Sequence, residues 1–140
     1  MIQSQFIRDI FQLSIHEDAY GDKFRHQVAC LTESEYEYTG SGVFIFFKQY
    51  PEIAKWTISE DEVMDILEHA EESQLFCIME IENKKERIEA EPIIRMKEGL
   101  IDSIEIWNRR GDYPRRELEF YEMYRLSDKE KKKTITRVNK

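Results

Sequence analysis

Three side chains in the middle of the chain have the types and the spacing of a metal site. Asp65, His69 and Glu72 lie at positions i, i+4 and i+7 of a predicted helix, so their side chains would share one helical face. Two carboxylates and one imidazole, with a fourth position open, match the ligand set of a catalytic zinc ion. The same residue types are also typical of a solvated helix surface, and the sequence shows no group that would orient the ligands. A small metal-dependent enzyme is therefore kept only as an alternative hypothesis. For the main hypothesis we expect no cofactor and no metal.

Other combinations of reactive residues give weaker signals. Cys30 and His26 stand four residues apart and could form a thiol–imidazole pair, but the apolar neighbours of Cys30 favour a buried thiol. Gly40-Ser41-Gly42 is not followed by the Gly-Lys-Ser/Thr of a phosphate-binding loop, so a hairpin turn is the better interpretation. Asp102 and Glu105 are three apart on a predicted strand and would face opposite sides of a sheet. We therefore predict a protein without enzymatic activity.

The strongest functional signal is a ridge of carboxylates on the helix that carries the metal-like set. Asp61, Asp65, Glu68 and Glu72, here called the acidic ridge, recur at spacings of 4, 3 and 4. Like charges at such spacings destabilise a helix by roughly a few tenths of a kcal/mol. Residues 60–91 carry 12 acidic and 3 basic side chains, so the negative charge is concentrated in this part of the chain. A solvated face is the simpler interpretation, and a docking surface for a basic protein is the functional one.

The overall charge and the apolar pattern limit the classes of partner and location. The 140 residues have a formal net charge of −8, which argues against a general nucleic-acid binder and against an anionic membrane surface. Apolar runs are too short to span a bilayer, and the first residues lack the pattern of a signal peptide. Cys30 and Cys77 have apolar neighbours and are expected to be buried and reduced. These observations predict a cytoplasmic protein.

Two helices and a series of strands must position these residues. Phe6, Ile10 and Leu13 recur at helical spacing and predict an N-terminal helix. Ser59 and Glu62 form a capping box at the start of the second helix, which carries the acidic ridge. Apolar patterns predict strands over residues 33–38, 43–47, 75–82, 88–96 and 100–107, with 120–126 either a last strand or a helical turn. Loops are predicted over 16–22 and 49–57, and a short helix running into a strand over 24–31.

Short turns connect most of the predicted strands, and they determine the predicted fold. Strands joined in this way are antiparallel, because parallel pairs need long crossovers. We predict an α+β fold in which an antiparallel sheet of five or six strands carries both helices on one face. Pro92 cannot donate to a ladder, so its strand should lie at an edge or contain a bulge there. A single domain would span residues 1–126, and the basic segment 127–140 would be a flexible tail.

Three segments together resemble a known group of proteins. They are Tyr38-Thr39-Gly40-Ser41-Gly42-Val43-Phe44, then Gly99-Leu100-Ile101-Asp102-Ser103-Ile104-Glu105-Ile106-Trp107, then Gly111-Asp112-Tyr113-Pro114. In this order they are similar to a group of small stand-alone bacterial proteins, and similar α+β proteins occur among the immunity proteins that neutralise polymorphic toxins. The resemblance covers about residues 22–121, leaves 57–73 as an additional helix, and implies an α+β fold without supplying catalytic residues.

These signals combine into one functional hypothesis and two alternatives. The hypothesis is a non-enzymatic interaction module, an immunity-like inhibitor that docks a basic partner such as a toxin through the acidic ridge. The first alternative is the metal-dependent enzyme built on Asp65, His69 and Glu72. The second is a homo-oligomeric structural module that pairs through an exposed sheet edge.

Overall fold

A seven-stranded antiparallel sheet forms the centre of the computed structural model, which describes residues 1–70 and 73–138. The strand order is β1-β2-β5-β4-β3-β6-β7, and each neighbouring pair is antiparallel. The strands are β1 (Leu31–Tyr38), β2 (Gly42–Gln49), β3 (Met79–Asn83), β4 (Ile88–Lys97), β5 (Leu100–Asn108), β6 (Tyr121–Arg125) and β7 (Ile135–Arg137). The α+β class is confirmed, with more strands than the five or six predicted.

Four helical segments accompany the sheet within the described residues. They are α1 (Gln5–Ser14), α2 (Ala19–Ala29), a 3-10 helix (Pro51–Trp56) and α3 (Glu60–His69). Ser4, Asp18 and Ser59 each accept a hydrogen bond from a backbone N–H in the first turn of an α-helix, which satisfies a donor that the helix leaves open. The predicted capping box between Ser59 and Glu62 is confirmed. No helix among these segments is long and apolar enough to cross a membrane.

One face of the sheet, here called the covered face, packs against α1 and α2. Phe6 and Phe11 of α1 place their rings 5.1 Å from Tyr121 and 5.7 Å from Phe47. The Gln27 side chain of α2 donates to the Gly99 carbonyl oxygen and accepts from the Ile101 backbone N–H, so a buried amide joins α2 to the turn before β5. The opposite side of the sheet, here called the open face, carries no helix among the described residues.

Three predicted element boundaries are wrong. Residues 16–22 are not all loop, because α2 begins at Ala19 after the Asp18 cap. The loop was predicted because Tyr20 and Gly21 are typical of a turn. The predicted loop 49–57 contains the 3-10 helix, whose first residue is Pro51. The third strand begins at Met79 instead of residue 75, so residues 75–78 connect α3 to the sheet.

Pro92 lies where β4 loses one of its two neighbours. The β3–β4 ladder runs only from Ile88 to Ala90 on the β4 side, whereas the β4–β5 ladder continues past Pro92 to Lys97. The missing N–H of Pro92 therefore faces the side that β3 has already left. Strand β4 is therefore a central strand at its first end and an edge strand from Pro92 onward, as predicted for an edge position. The bulge in the β4–β5 ladder lies further along, between Arg95 and Met96.

The segment assigned from the sequence to a flexible tail contributes the last strand. Within residues 127–138, β7 pairs with β6, and Ile135 lies opposite Met123. Arg137 of β7 donates two hydrogen bonds, both of 2.9 Å, to the carboxylate of Asp9 in α1. The sheet thus extends past residue 126, and an ion pair ties its last strand to the first helix. Asn139 and Lys140 lie outside the described residues.

Candidate functional site

The acidic ridge predicted from the sequence is placed mainly on the outer side of α3. Asp61 and Glu68 are exposed, Asp65 is half-buried, and Glu72 lies outside the described residues. The apolar side of α3 is less buried than its pattern predicts, because only Ile66 is fully covered. This helix therefore lies at the margin of the core.

Asp65 and its neighbour Glu62 are already bonded within the protein. The Tyr20 hydroxyl donates to Asp65 at 2.6 Å, and this hydrogen bond raises the pKa of Tyr20 to about 12. The Lys23 ammonium lies 2.7 Å from the Glu62 carboxylate. Both contacts join α3 to α2, so these carboxylates of α3 hold the helix in place as well as adding charge.

The metal-like set is only partly described. His69 Nδ1 lies 3.1 Å from the Asp65 carboxylate, and its contact with the Asp65 carbonyl oxygen raises the pKa of His69. The third residue of the set, Glu72, is outside the described residues. Across residues 1–70 and 73–138, no group of three or more His, Cys, Asp or Glu side chains is arranged to hold a metal ion.

The other sequence candidates also have structural roles. The His26 ring stacks on Trp56, with centroids 3.8 Å apart, so this imidazole has a packing role apart from the thiol–imidazole pair with Cys30 that the sequence analysis did not favour. The Gly-Ser-Gly segment is a hairpin turn as interpreted from the sequence. A Cβ at Gly42 would lie 1.8 Å from the Ile106 carbonyl oxygen, so β2 and β5 can approach only with glycine there. Cys30 is half-buried instead of fully buried, and so is Cys77.

The open face carries an exposed apolar centre that the sequence analysis did not single out. Phe44 and Phe46 of β2 stack at 6.3 Å and are half-buried. Phe44 lies opposite Glu105 of β5, which lies opposite Ile93 of β4. Ile93 is 43% exposed, and Trp107, two positions along β5, is 49% exposed. Here the four residues Phe44, Phe46, Ile93 and Trp107 are called the apolar centre.

Glutamates surround the apolar centre on the same face. The register places eight of them, against the three basic residues Lys48, Arg95 and Lys97, at the open-face positions of the described strands. They are Glu35, Glu37, Glu80, Glu82, Glu89, Glu91, Glu105 and Glu122. The acidic charge that the sequence analysis found concentrated in residues 60–91 is therefore divided between α3 and the open face, because β3 and β4 place their glutamates on that face.

Three of these glutamates stand directly opposite one another on adjacent strands. Glu82 of β3 pairs in register with Glu122 of β6 on one side and with Glu89 of β4 on the other. Like charges directly opposite each other destabilise a sheet. We call Glu122, Glu82 and Glu89 the glutamate row.

Cations from loops and a tyrosine hydroxyl offset part of this charge. Arg110 lies 3.1 Å from Glu89, and Lys131 lies 3.5 Å from Glu122. The Tyr124 hydroxyl donates to Glu82 at 2.6 Å. Each end of the glutamate row thus has one cation, whereas its middle member has a neutral donor.

Glu80 is the most buried glutamate of the open face. Its side chain is 3% exposed and receives hydrogen bonds from Arg109 at both carboxylate oxygens. Burial raises the pKa of the Glu80 carboxyl, Arg109 lowers it, and the charges of Glu82 and Glu89 raise it again. The net result is a raised pKa despite the arginine, because burial is the largest contribution and the two neighbouring glutamates add to it.

Comparison of the chain with protein-family models, with curated proteins and with solved structures finds no match.

Proposed function

We propose that this protein is a non-enzymatic interaction module that docks a basic partner protein on the open face of its sheet. The observation that carries this proposal is the glutamate row beside an exposed apolar centre. The opposed carboxylates oppose folding, and a cationic partner would relieve them. A surface built only for stability would place lysine or threonine opposite Glu82.

The layout of the open face supports this proposal because it has the anatomy of an interface. Protein interfaces commonly have an aromatic and aliphatic centre with a polar rim that excludes water. Trp107 and Ile93 are the exposed members of the centre, and Glu91 and Glu105 are their register neighbours. The partner that fits presents an apolar side chain surrounded by lysine or arginine.

Charge also favours a different protein over a second copy of this chain. A symmetric dimer through the open face would bring glutamates of one copy close to those of the other. Such like-charge contacts would oppose association, with only the apolar centre to offset them. A basic partner gains both the apolar contact and the charge contact.

The resemblance to immunity proteins makes this proposal more specific. We propose an immunity-like inhibitor in the bacterial cytoplasm that covers the cationic surface of a toxin. The acidic ridge of Asp61, Asp65, Glu68 and Glu72 would then be an outlying part of the docking surface. Asp61 and Glu68 are its exposed carboxylates among the described residues, and they would steer the partner at long range.

The experiment has two stages. Immobilised protein first captures partners from the native lysate at low salt, and mass spectrometry identifies a basic protein that is purified. Binding of that purified partner is then measured by calorimetry against three variants: Trp107→Ala, the double variant Glu82→Gln/Glu89→Gln, and the double variant Asp61→Asn/Glu68→Gln. The two double variants remove the same number of charges from different surfaces, so each is the control for the other.

We expect Trp107→Ala to weaken binding by roughly 30-fold, which is the effect expected when a buried aromatic anchor is removed from an interface. Glu82→Gln/Glu89→Gln should weaken it and flatten its salt dependence more than Asp61→Asn/Glu68→Gln does. If only the α3 variant weakens binding, the docking surface is the acidic ridge and the open-face proposal is wrong. If the captured species is the chain itself and sedimentation shows a dimer that Trp107→Ala dissolves, the protein is a self-associating module.

A further inference from the structure

A thiol and an imidazole that are 61 positions apart in the chain meet beside α1. Cys77 Sγ lies 3.4 Å from His16 Nδ1, within hydrogen-bond range for sulfur. The other ring nitrogen, His16 Nε2, lies 3.1 Å from the Gln74 carbonyl oxygen. A nucleophile, a base and a group that orients the base are therefore in contact, which is the arrangement that activates nucleophiles in proteins.

Backbone contacts hold the two side chains together. The Cys77 backbone N–H donates to the Ser14 carbonyl oxygen at 2.7 Å, which fixes residue 77 at the end of α1. On the other side, Arg25 donates to the His16 carbonyl oxygen at 2.9 Å. A Cβ at Gly21 would lie 1.7 Å from that same oxygen, so only glycine lets α2 approach His16 this closely.

The hydrogen bonds determine which ring nitrogen carries the proton. A carbonyl oxygen can only accept, so His16 Nε2 must donate to Gln74. The neutral ring then presents a lone pair at Nδ1, which is the atom that faces the thiol. This tautomer is the one that can remove the Cys77 proton. Among the described contacts, the charged side chains next to His16 are Arg25, which donates to the His16 carbonyl oxygen, and Glu17, which is paired with Lys133.

Cys77 also lines a groove that could hold a ligand. The groove has a volume of about 270 Å³ and lies between the segment before β3 and the part of β4 that β3 has left. Its lining is mostly apolar and includes Leu67, Phe76, Pro92 and Ile94, with Glu91 as its carboxylate. A small apolar molecule in this groove would therefore contact Cys77.

We propose that Cys77 and His16 form a reactive thiol site for an apolar electrophile whose carbonyl is conjugated to a carbon–carbon double bond. His16 Nδ1 takes the thiol proton, and the sulfur electron pair forms a bond to the β-carbon. The electrons of the double bond move to the α-carbon, which takes the proton back from His16. Atoms and electrons balance without an oxidant, a leaving group or a second substrate.

Acyl transfer is a poorer match for this geometry. It needs backbone donors that stabilise an oxyanion next to the nucleophile. The Cys77 N–H is bonded to the Ser14 carbonyl oxygen and so does not point at an oxyanion. Addition to a conjugated carbonyl needs only the thiolate and the proton held by His16.

The test uses the full chain, in which Cys30 is a half-buried internal control with no histidine hydrogen bond among the described contacts. Alkylation of each cysteine by iodoacetamide is followed by peptide mass spectrometry from about pH 6 to about pH 9, which brackets the ordinary range of a thiol. We expect Cys77 to react at least about tenfold faster than Cys30 at the acidic end. Rates for N-phenylmaleimide and N-methylmaleimide are then compared, and Cys77 should favour the phenyl compound more than Cys30 does.

Two variants separate activation from simple exposure. His16→Gln should remove the acidic-end advantage of Cys77, whereas His26→Gln, which changes the imidazole of α2 that stacks on Trp56, should leave it intact. Equal rates for Cys77 and Cys30 in the unmodified protein at every pH would overturn the proposal without any variant. An unchanged Cys77 profile in folded His16→Gln would do the same, and equal maleimide preferences would remove the groove as the ligand site.

Discussion

The two faces of the sheet use the same strands for different purposes. On the covered face, Ile81 and Ile104 are fully buried in the core. On the open face of the same two strands, Glu82 stands opposite two other glutamates and Glu105 lies beside the exposed apolar centre. The covered face accounts for folding by burial of apolar area. The open face carries charge and exposed aromatic surface that folding does not require.

A pair of buried carboxylates shows the same contrast in detail. Asp9 belongs to the covered face and is fully buried. It accepts from Arg137 at 2.9 Å, from the Tyr121 hydroxyl at 2.6 Å and from the Gln5 amide at 2.7 Å. Burial raises the pKa of Asp9, and these donors together lower it by more, so that the net pKa is below its ordinary value.

Glu80 belongs to the open face and has the opposite balance. It has one arginine partner, Arg109, and two glutamate neighbours, and its pKa is raised. An equally buried carboxylate is therefore stabilised in its charged form on one face and destabilised on the other. The difference shows that satisfied donors, not the presence of an arginine alone, decide whether a buried carboxylate supports the fold.

The largest expected difference between the faces comes from two isoleucines of β4. Ile88 is 1% exposed on the covered face, and Ile93 is 43% exposed on the open face. Ile88→Ala should lower the free energy of unfolding by about 4 kcal/mol, because it removes buried methylene groups and leaves a cavity. Ile93→Ala should change it by no more than about 0.5 kcal/mol. Urea unfolding of both variants measures the contrast, and equal losses would mean that the open face is covered in solution.

Removal of the Asp9 carboxylate should have the next largest effect. Asp9→Ala leaves the buried Tyr121 hydroxyl and the Arg137 guanidinium without their acceptor, and should cost about 3 kcal/mol at neutral pH. Glu17→Ala is the matched control, because Glu17 pairs with Lys133 at an exposed site and its loss should cost much less. A loss in Asp9→Ala as small as in the control would show that β7 is not held to α1 by this ion pair.

The contributions of Asp9 and Glu80 to stability should respond to pH in opposite directions. The folded-state pKa of Asp9 is lowered, so its contribution to stability is present above the unfolded pKa and is lost as the pH falls through the folded pKa. The folded-state pKa of Glu80 is raised, so its contribution is present below the unfolded pKa and is lost as the pH rises through the folded pKa. The destabilisation by Asp9→Asn should therefore shrink on acidification. Glu80→Gln should lower the free energy of unfolding least at neutral pH and more in acid. Urea unfolding of both variants at neutral and at acidic pH measures the two trends.

Local patterns in the sequence predicted the elements well because their causes are local. The capping box of Ser59 and Glu62 and the i, i+4, i+7 spacing of α1 involve neighbours in the chain, and both predictions are confirmed. The lysine-rich composition of residues 127–140 hid β7, whose strand is only three residues long. Its attachment depends on Asp9, 128 positions away from Arg137, and no local pattern contains that information.

The candidate sites were harder to predict, because they depend on register. Glutamates at alternate positions in residues 80–91 could have indicated one polar sheet face, but their alignment with Glu122 requires the strand order. The pair of Cys77 and His16 likewise requires the end of α1 to meet the segment before β3. The sequence analysis considered a thiol–imidazole pair only at helical spacing, Cys30 with His26, and did not favour it.

The smallest expected effect tests the glutamate row itself. Glu82→Gln keeps an acceptor for the Tyr124 hydroxyl but removes the charge that faces Glu122 and Glu89. It should raise the free energy of unfolding by roughly 0.5 kcal/mol at low salt, and the gain should fade as salt screens the row. Glu68→Gln on exposed α3, away from the row, is the control and should gain less. A destabilised Glu82→Gln would mean that the loop cations already neutralise the row, and the main support for a basic partner on the open face would be lost.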